Sequence, residues 1–136
     1  MRTPVLACKL NILVVEDNAD LRQLLCDLLQ NFGHLTMSAE SAEEALIHMQ
    51  ACSAIDVLLT DVSLPGKSGI DLAREVIAMQ PCLHVVFASG YNKSFLENLD
   101  FPAHLLTKPY DIDQLQALLI SLATSQHPAA TAVCIS

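Results

Sequence analysis

A chain of 136 residues with a net charge of −8 is long enough for one domain with a substantial core, and nothing in its composition asks for two. Only seven residues are Lys or Arg, which argues against a surface that holds a phosphate backbone, and direct nucleic-acid binding is not expected. Hydrophobic residues make up 52% of the chain and aromatic residues only 4%, with no Trp, which describes the aliphatic core of a parallel sheet covered on both faces.

Five cysteines (Cys8, Cys26, Cys52, Cys82, Cys134) are odd in number, scattered, and never in C-x-x-C spacing. That argues against a zinc site or a disulfide framework, and for reduced thiols in a cytoplasmic protein. The histidines show no metal spacing beyond Cys82-x-His84. No apolar run approaches the ~18 residues of a membrane span, and Met1 to Lys9 lacks the apolar segment of a signal peptide, so no membrane association is expected.

In chain order, Leu10 to Val15 is an apolar run stopped by Glu16-Asp17-Asn18, which predicts a central strand with acids at its C-terminal end. From Ala19 to Phe32, Leu21, Leu24, Leu25, Leu28, Leu29 and Phe32 fall on one helical face, with Asn18 as N-cap and Gly33 as the stop. His34 to Ala39 alternates as a half-exposed edge strand does. Ser41-Ala42-Glu43-Glu44 has capping-box form and opens a helix buried on Ala42, Ala45, Leu46 and Met49. Ile55 to Thr60 is the next buried strand, ending on Asp61, and Pro65-Gly66 marks a turn.

A third helix runs from about Gly69 to Met79 before Pro81, followed by a strand from Leu83 to Ala88 that ends on Ser89. A fourth helix is predicted over Asn92 to Leu99, then a short strand from Ala103 to Thr107 that ends in Lys108-Pro109. The last helix starts from an Asp111 cap and buries Ile112, Leu115, Leu118, Leu119 and Leu122. The expected organisation is an N-terminal tail over residues 1–9, one domain over 10–124 and a flexible tail over 125–136.

Strands and helices alternating five times specify an α/β domain: a three-layer, doubly wound, five-stranded parallel sheet of flavodoxin-like type. The order 2-1-3-4-5 suits a polar second strand at the edge. It brings the C-terminal ends of the first, third and fourth strands together, and with them Glu16, Asp17, Asp61, Ser89 and Lys108. Crowded carboxylates raise each other's pKa unless a cation offsets them, and hard oxygen donors suit Mg²⁺. With that ion bound, Asp61 could act as a nucleophile toward phosphorus, with Ser89 and Lys108 contacting the phosphoryl oxygens.

Val15-Glu16-Asp17-Asn18, Asp61 through Gly69, Ala88-Ser89-Gly90 and Lys108-Pro109, each closing a predicted strand in this order, resemble the receiver domain of the two-component response regulator family over about Leu10 to Leu122. The resemblance implies that Asp61 accepts a phosphoryl group from a sensor histidine kinase or a phosphotransfer protein. It implies that Asp17, Asp61 and the Ser63 backbone carbonyl ligate Mg²⁺, with Glu16 acting mainly through water. It also implies that Ser89 and Lys108 grip the phosphoryl group and that the Lys108–Pro109 bond is cis. Such a domain is no enzyme apart from catalysing its own phosphorylation and dephosphorylation. Its output passes to a second copy or another protein through the fourth predicted helix, the fifth strand and the last helix.

Two positions matter within that pattern. Three residues before Lys108, where many receivers carry an aromatic that swings inward, this chain has Leu105, so the aromatic half of the usual switch is absent. Tyr91, two residues after Ser89, is bulky enough to hinder attack of water on a phosphoryl group. A phosphatase of the haloacid dehalogenase type would need a second Asp two residues after Asp61, where Ser63 stands. A flavodoxin-like FMN binder would need a hydroxyl- and glycine-rich loop where Glu16-Asp17-Asn18-Ala19-Asp20 lies. A receiver module of a hybrid histidine kinase is the remaining alternative.

Overall fold

The computed structural model describes residues 10–51, 55–62, 64, 66–89, 99, 101–107 and 112–125. The N-terminal tail, nearly all of the fourth predicted helix and residues 126–136 of the C-terminal tail lie outside them. The elements are β1 (Asn11–Val15), α1 (Ala19–Asn31), β2 (Leu35–Ala39), α2 (Ala42–Ala51), β3 (Val57–Asp61), α3 (Gly69–Met79), β4 (His84–Ser89), β5 (His104–Thr107) and α4 (Ile112–Ser125). All strand pairings are parallel and the sheet order is β2-β1-β3-β4-β5, as the alternation of elements and the polar edge strand require.

Two aliphatic cores cover the sheet. On one face Ile12, Val14, Val57, Leu59 and Val86 pack under α1 and α4 through Leu25, Leu29, Leu115, Leu119 and Leu122. On the other, Leu13, Val15, Leu58, Val85 and Phe87 pack under α2 and α3 through Ala45, Met49, Leu72 and Val76. Successive residues of β1, β3 and β4 thus serve opposite cores, which is why these strands read as continuous apolar runs, whereas the edge strand β2 turns only Met37 and Ala39 to a core.

The caps follow the sequence with one shift. Asn18 Oδ1 accepts from the Leu21 N–H at 3.0 Å, and Gly33 adopts φ +95° just past α1, a conformation costly for any residue with a Cβ. Ser41 Oγ accepts from the Glu44 N–H at 3.1 Å, but the Glu44 carboxylate reaches back to the Glu40 N–H at 2.7 Å, one residue before the expected partner.

Three expectations need correction. Leu24 is 52% exposed, because Leu25 and Leu29 point at the sheet and Cys26, on their other flank, takes the remaining place. There its thiol bonds the Thr36 and Ser38 side chains of β2, and burial pushes its pKa up. Ile112 is 49% exposed: as the first residue of α4 it lies beyond the strand ends, where the sheet offers it no surface. Cys82 is disulfide-bonded, whereas Cys26 is a free thiol. Spacing along the chain carries no information about pairs that the fold brings together.

Three imidazoles lie at or near the N-terminal edge of the sheet. His34 Nδ1 accepts from the Leu10 N–H at 3.1 Å, and the His84 and His104 rings lie 6.3 Å apart on neighbouring strands. Burial lowers all three pKa values; for His84 the neighbouring His104 lowers it further, while Asp56 acts in the opposite sense. A lowered folded-state pKa means that the unfolded chain binds more protons below its own value of 6.5. Stability is therefore full above pH 6.5 and declines as the pH falls below it toward the folded-state values. Urea midpoints between pH 8 and pH 5 should drop on the acid side, and His34→Gln together with His84→Gln should flatten that slope.

Candidate functional site

β1 and β3 are adjacent and in register, with Val15 opposite Thr60, so the next residues along, Glu16 and Asp61, leave the sheet side by side. Asp61 is in turn paired with Ala88 of β4, and Ser89 with Thr107 of β5, the residue before Lys108. Parallel register thus brings segments from four parts of the chain to one edge.

Glu16, Asp17 and Asp61 each offer a carboxylate oxygen, and these atoms all lie within 4.8 Å of one another. Glu16 is 3% exposed, Asp61 is half-buried and Asp17 is open to solvent. At an effective dielectric of about 20, each ionised pair at that separation repels by about 3 kcal/mol, less for Asp17 because it faces water. An all-oxygen set of this spacing, combining a buried carboxylate with two accessible ones, fits a hard divalent cation such as Mg²⁺ that retains part of its water shell.

Short local bonds hold the acids in place. The Glu16 N–H donates to the Ala39 carbonyl at 3.0 Å, and Glu16 Oε2 accepts from the Asn18 N–H at 3.1 Å. Arg22, one turn into α1, donates from Nη1 to the Glu16 carbonyl at 2.7 Å. On β3, buried Thr60 donates its hydroxyl to the Asp61 carbonyl at 3.0 Å. Lys67 is held in an ion pair with Glu75 of α3.

Gly69 is the positional requirement missed by sequence reasoning. It opens α3 after the Ser68 cap, and a Cβ placed there would lie 2.0 Å from the Asp61 carbonyl oxygen and 3.0 Å from its carbon. Its N–H donates to the Val62 carbonyl at 2.9 Å. A glycine as the first residue of a helix rather than past its end was the available signal.

Of the predicted site residues, Glu16, Asp17 and Asp61 are brought together, and Ser89 ends β4 at the same edge. Ser63, Tyr91, Lys108 and the Lys108–Pro109 bond lie outside the described residues. A recess of about 220 Å³ near the start of β1 and β2, lined by Asn11, Ile12, Leu35, Thr36, Met37 and Ile55, is apolar and has no titratable group. The carboxylate cluster lies at the opposite edge of the sheet.

A doubly wound parallel sheet with three carboxylates clustered at the C-terminal ends of β1 and β3 defines a class of α/β domains with an acidic strand-end site. Sequence comparison narrows the class: the response regulator receiver domain profile matches residues 12–120, and the chain belongs to that family, the phosphorylation-dependent switch of two-component signalling. It is 29% identical to the response regulator receiver protein CpdR of Brucella abortus, over 81% of this chain and 97% of that protein. It is 34% identical to the two-component response regulator PhoP of Pseudomonas aeruginosa over 83% of this chain, but spans only 51% of PhoP. The sensor kinase CckA of Brucella abortus is 31% identical over 85% of this chain, which spans 13% of that kinase. Among solved structures, the receiver domain of the hybrid histidine kinase CckA superposes with a TM-score of 0.72 at 30% identity, covering 83% of this chain and 98% of that one. Among the described residues, no helix is long and apolar enough to cross a membrane.

Gly69→Ala should displace the start of α3 or the Asp61 carbonyl, lowering stability by about 2 kcal/mol. Urea denaturation checks this, and a cost below the error of the measurement would show that the contact relaxes freely.

Proposed function

We propose that Asp61 is the phosphoacceptor of this receiver domain. The observation that carries the reading is the gathering of Glu16, Asp17 and Asp61 within 4.8 Å. Asp17 and Asp61, with the Ser63 carbonyl, are the proposed ligands of Mg²⁺, and Glu16 acts mainly through water. When bound, the ion supplies positive charge against the phosphoryl oxygens.

The side chains have separate tasks. An Asp61 oxygen attacks the phosphorus of a phosphohistidine; the new O–P bond forms as the P–N bond breaks, and the imidazole leaves with the electron pair. The Ser89 hydroxyl and the Lys108 ammonium contact the phosphoryl oxygens, so they interact with the phosphorylated state more strongly than with the free one. That difference is what a two-state switch requires. The same groups assist the domain's own phosphorylation by a small donor and its dephosphorylation by water.

The donor is a sensor histidine kinase or phosphotransfer protein in the cytoplasm. The output surface includes β5 and α4, whose Ile112 and Ile120 are about half exposed, and its partner is an output protein or a second copy. Similarity to the receiver region of CckA favours a second setting, in which the domain is one module of a hybrid kinase.

Incubation of the full chain with Mg²⁺ and acetyl phosphate should add one phosphoryl group to the intact mass of wild type and none to Asp61→Asn. A gain that survives the substitution would refute the assignment.

A further inference from the structure

Asp17 is the exposed member of the acidic set, and its carboxylate makes no hydrogen bond to another described residue. Its position is therefore dictated by the backbone that carries it. The peptide between Glu16 and Asp17 is planar, so fixing the Glu16 carbonyl also fixes the direction of the Asp17 N–H and the plane from which its Cα departs. Arg22 provides that restraint: its guanidinium folds back from α1 onto the Glu16 carbonyl at 2.7 Å, a charge-assisted bond on a half-buried side chain. The Arg22 N–H also donates to the Asn18 carbonyl at 2.9 Å, so the clamp is anchored in the same turn that Asn18 caps.

We propose that Arg22 is a positioning residue for the divalent-cation site, holding the Glu16–Asp17 peptide so that the Asp17 carboxylate stays within reach of Asp61. The inference rests on the reading of Glu16, Asp17 and Asp61 as a Mg²⁺ site. By bonding a carbonyl instead of a carboxylate, the guanidinium adds positive charge beside the acids without occupying a ligand oxygen. Outer-shell partners of this kind typically contribute about 10- to 100-fold to metal affinity.

The two physical effects of Arg22 have opposite signs, which makes the inference testable. If only its charge mattered, removing it would relieve repulsion and tighten Mg²⁺ binding; if its positioning matters, removal weakens binding. Calorimetric Mg²⁺ titration of the full chain should show Arg22→Met weaker than wild type by about tenfold, with circular dichroism confirming that the variant is folded. Arg22→Lys keeps the charge and the stem but offers a shorter donor, and should fall between the two. If Arg22→Met does not fold, Arg22→Lys carries the test, with a loss of about threefold expected. An unchanged or tighter dissociation constant in a folded variant overturns the role of Arg22 alone. A wild-type chain that binds no Mg²⁺ overturns the site reading itself, and this inference with it.

Discussion

Repulsion among three carboxylates is the constraint around which this domain is arranged. A fold that places Glu16, Asp17 and Asp61 within 4.8 Å of each other sets like charges side by side, and its stability must come from packing elsewhere. That packing is visible in the strands that deliver the acids. Leu13, Val14, Val57 and Leu58 are fully buried, with aliphatic layers on both faces of the sheet. Burial of this kind, at about 25 cal/mol per Å² of apolar surface, greatly exceeds the repulsion at the edge.

Position at that edge is controlled more tightly than the identity of the acids alone would demand. The parallel register of β1 with β3 sets Glu16 beside Asp61, and a one-residue slip would turn every side chain of the strand to the wrong core. Gly69 lets α3 begin against the Asp61 carbonyl, while Arg22 and Asn18 fasten the turn on the other side. Register, a missing Cβ and a clamped peptide act on the same cluster from three directions. Lys67, the cation nearest in sequence to Asp61, is instead paired with Glu75.

Much of this was legible in the sequence, for a physical reason. Buried parallel strands are continuous apolar runs, so a run stopped by Glu16-Asp17 or Asp61 marks both the strand and the edge where chemistry can occur. The caps at Asn18 and Ser41 were readable because side-chain donors and acceptors there serve local backbone. What escaped depends on contacts distant in sequence or on atoms that are absent. The role of Gly69 is the absence of a Cβ, and the exposure of Leu24 and Ile112 depends on where each helix meets the sheet. The Cys82 disulfide depends on proximity that spacing does not encode. Leu105, opposite Phe87 in the β4–β5 ladder, leaves the sheet without the aromatic many receivers carry there. Phe87 instead meets Phe101, the rings tilted at 47° with centroids 6.2 Å apart, and the Arg74 guanidinium lies over the Phe101 ring.

The central claim is that the strand-end carboxylate of Asp61, and not its two acidic neighbours, forms the acyl phosphate. Borohydride reduction of the phosphorylated chain converts an acyl phosphate to an alcohol, and peptide mapping locates it. Homoserine at position 61 alone is the predicted result. Reduction at position 16 or 17, or none in a chain that carries phosphate, would contradict it.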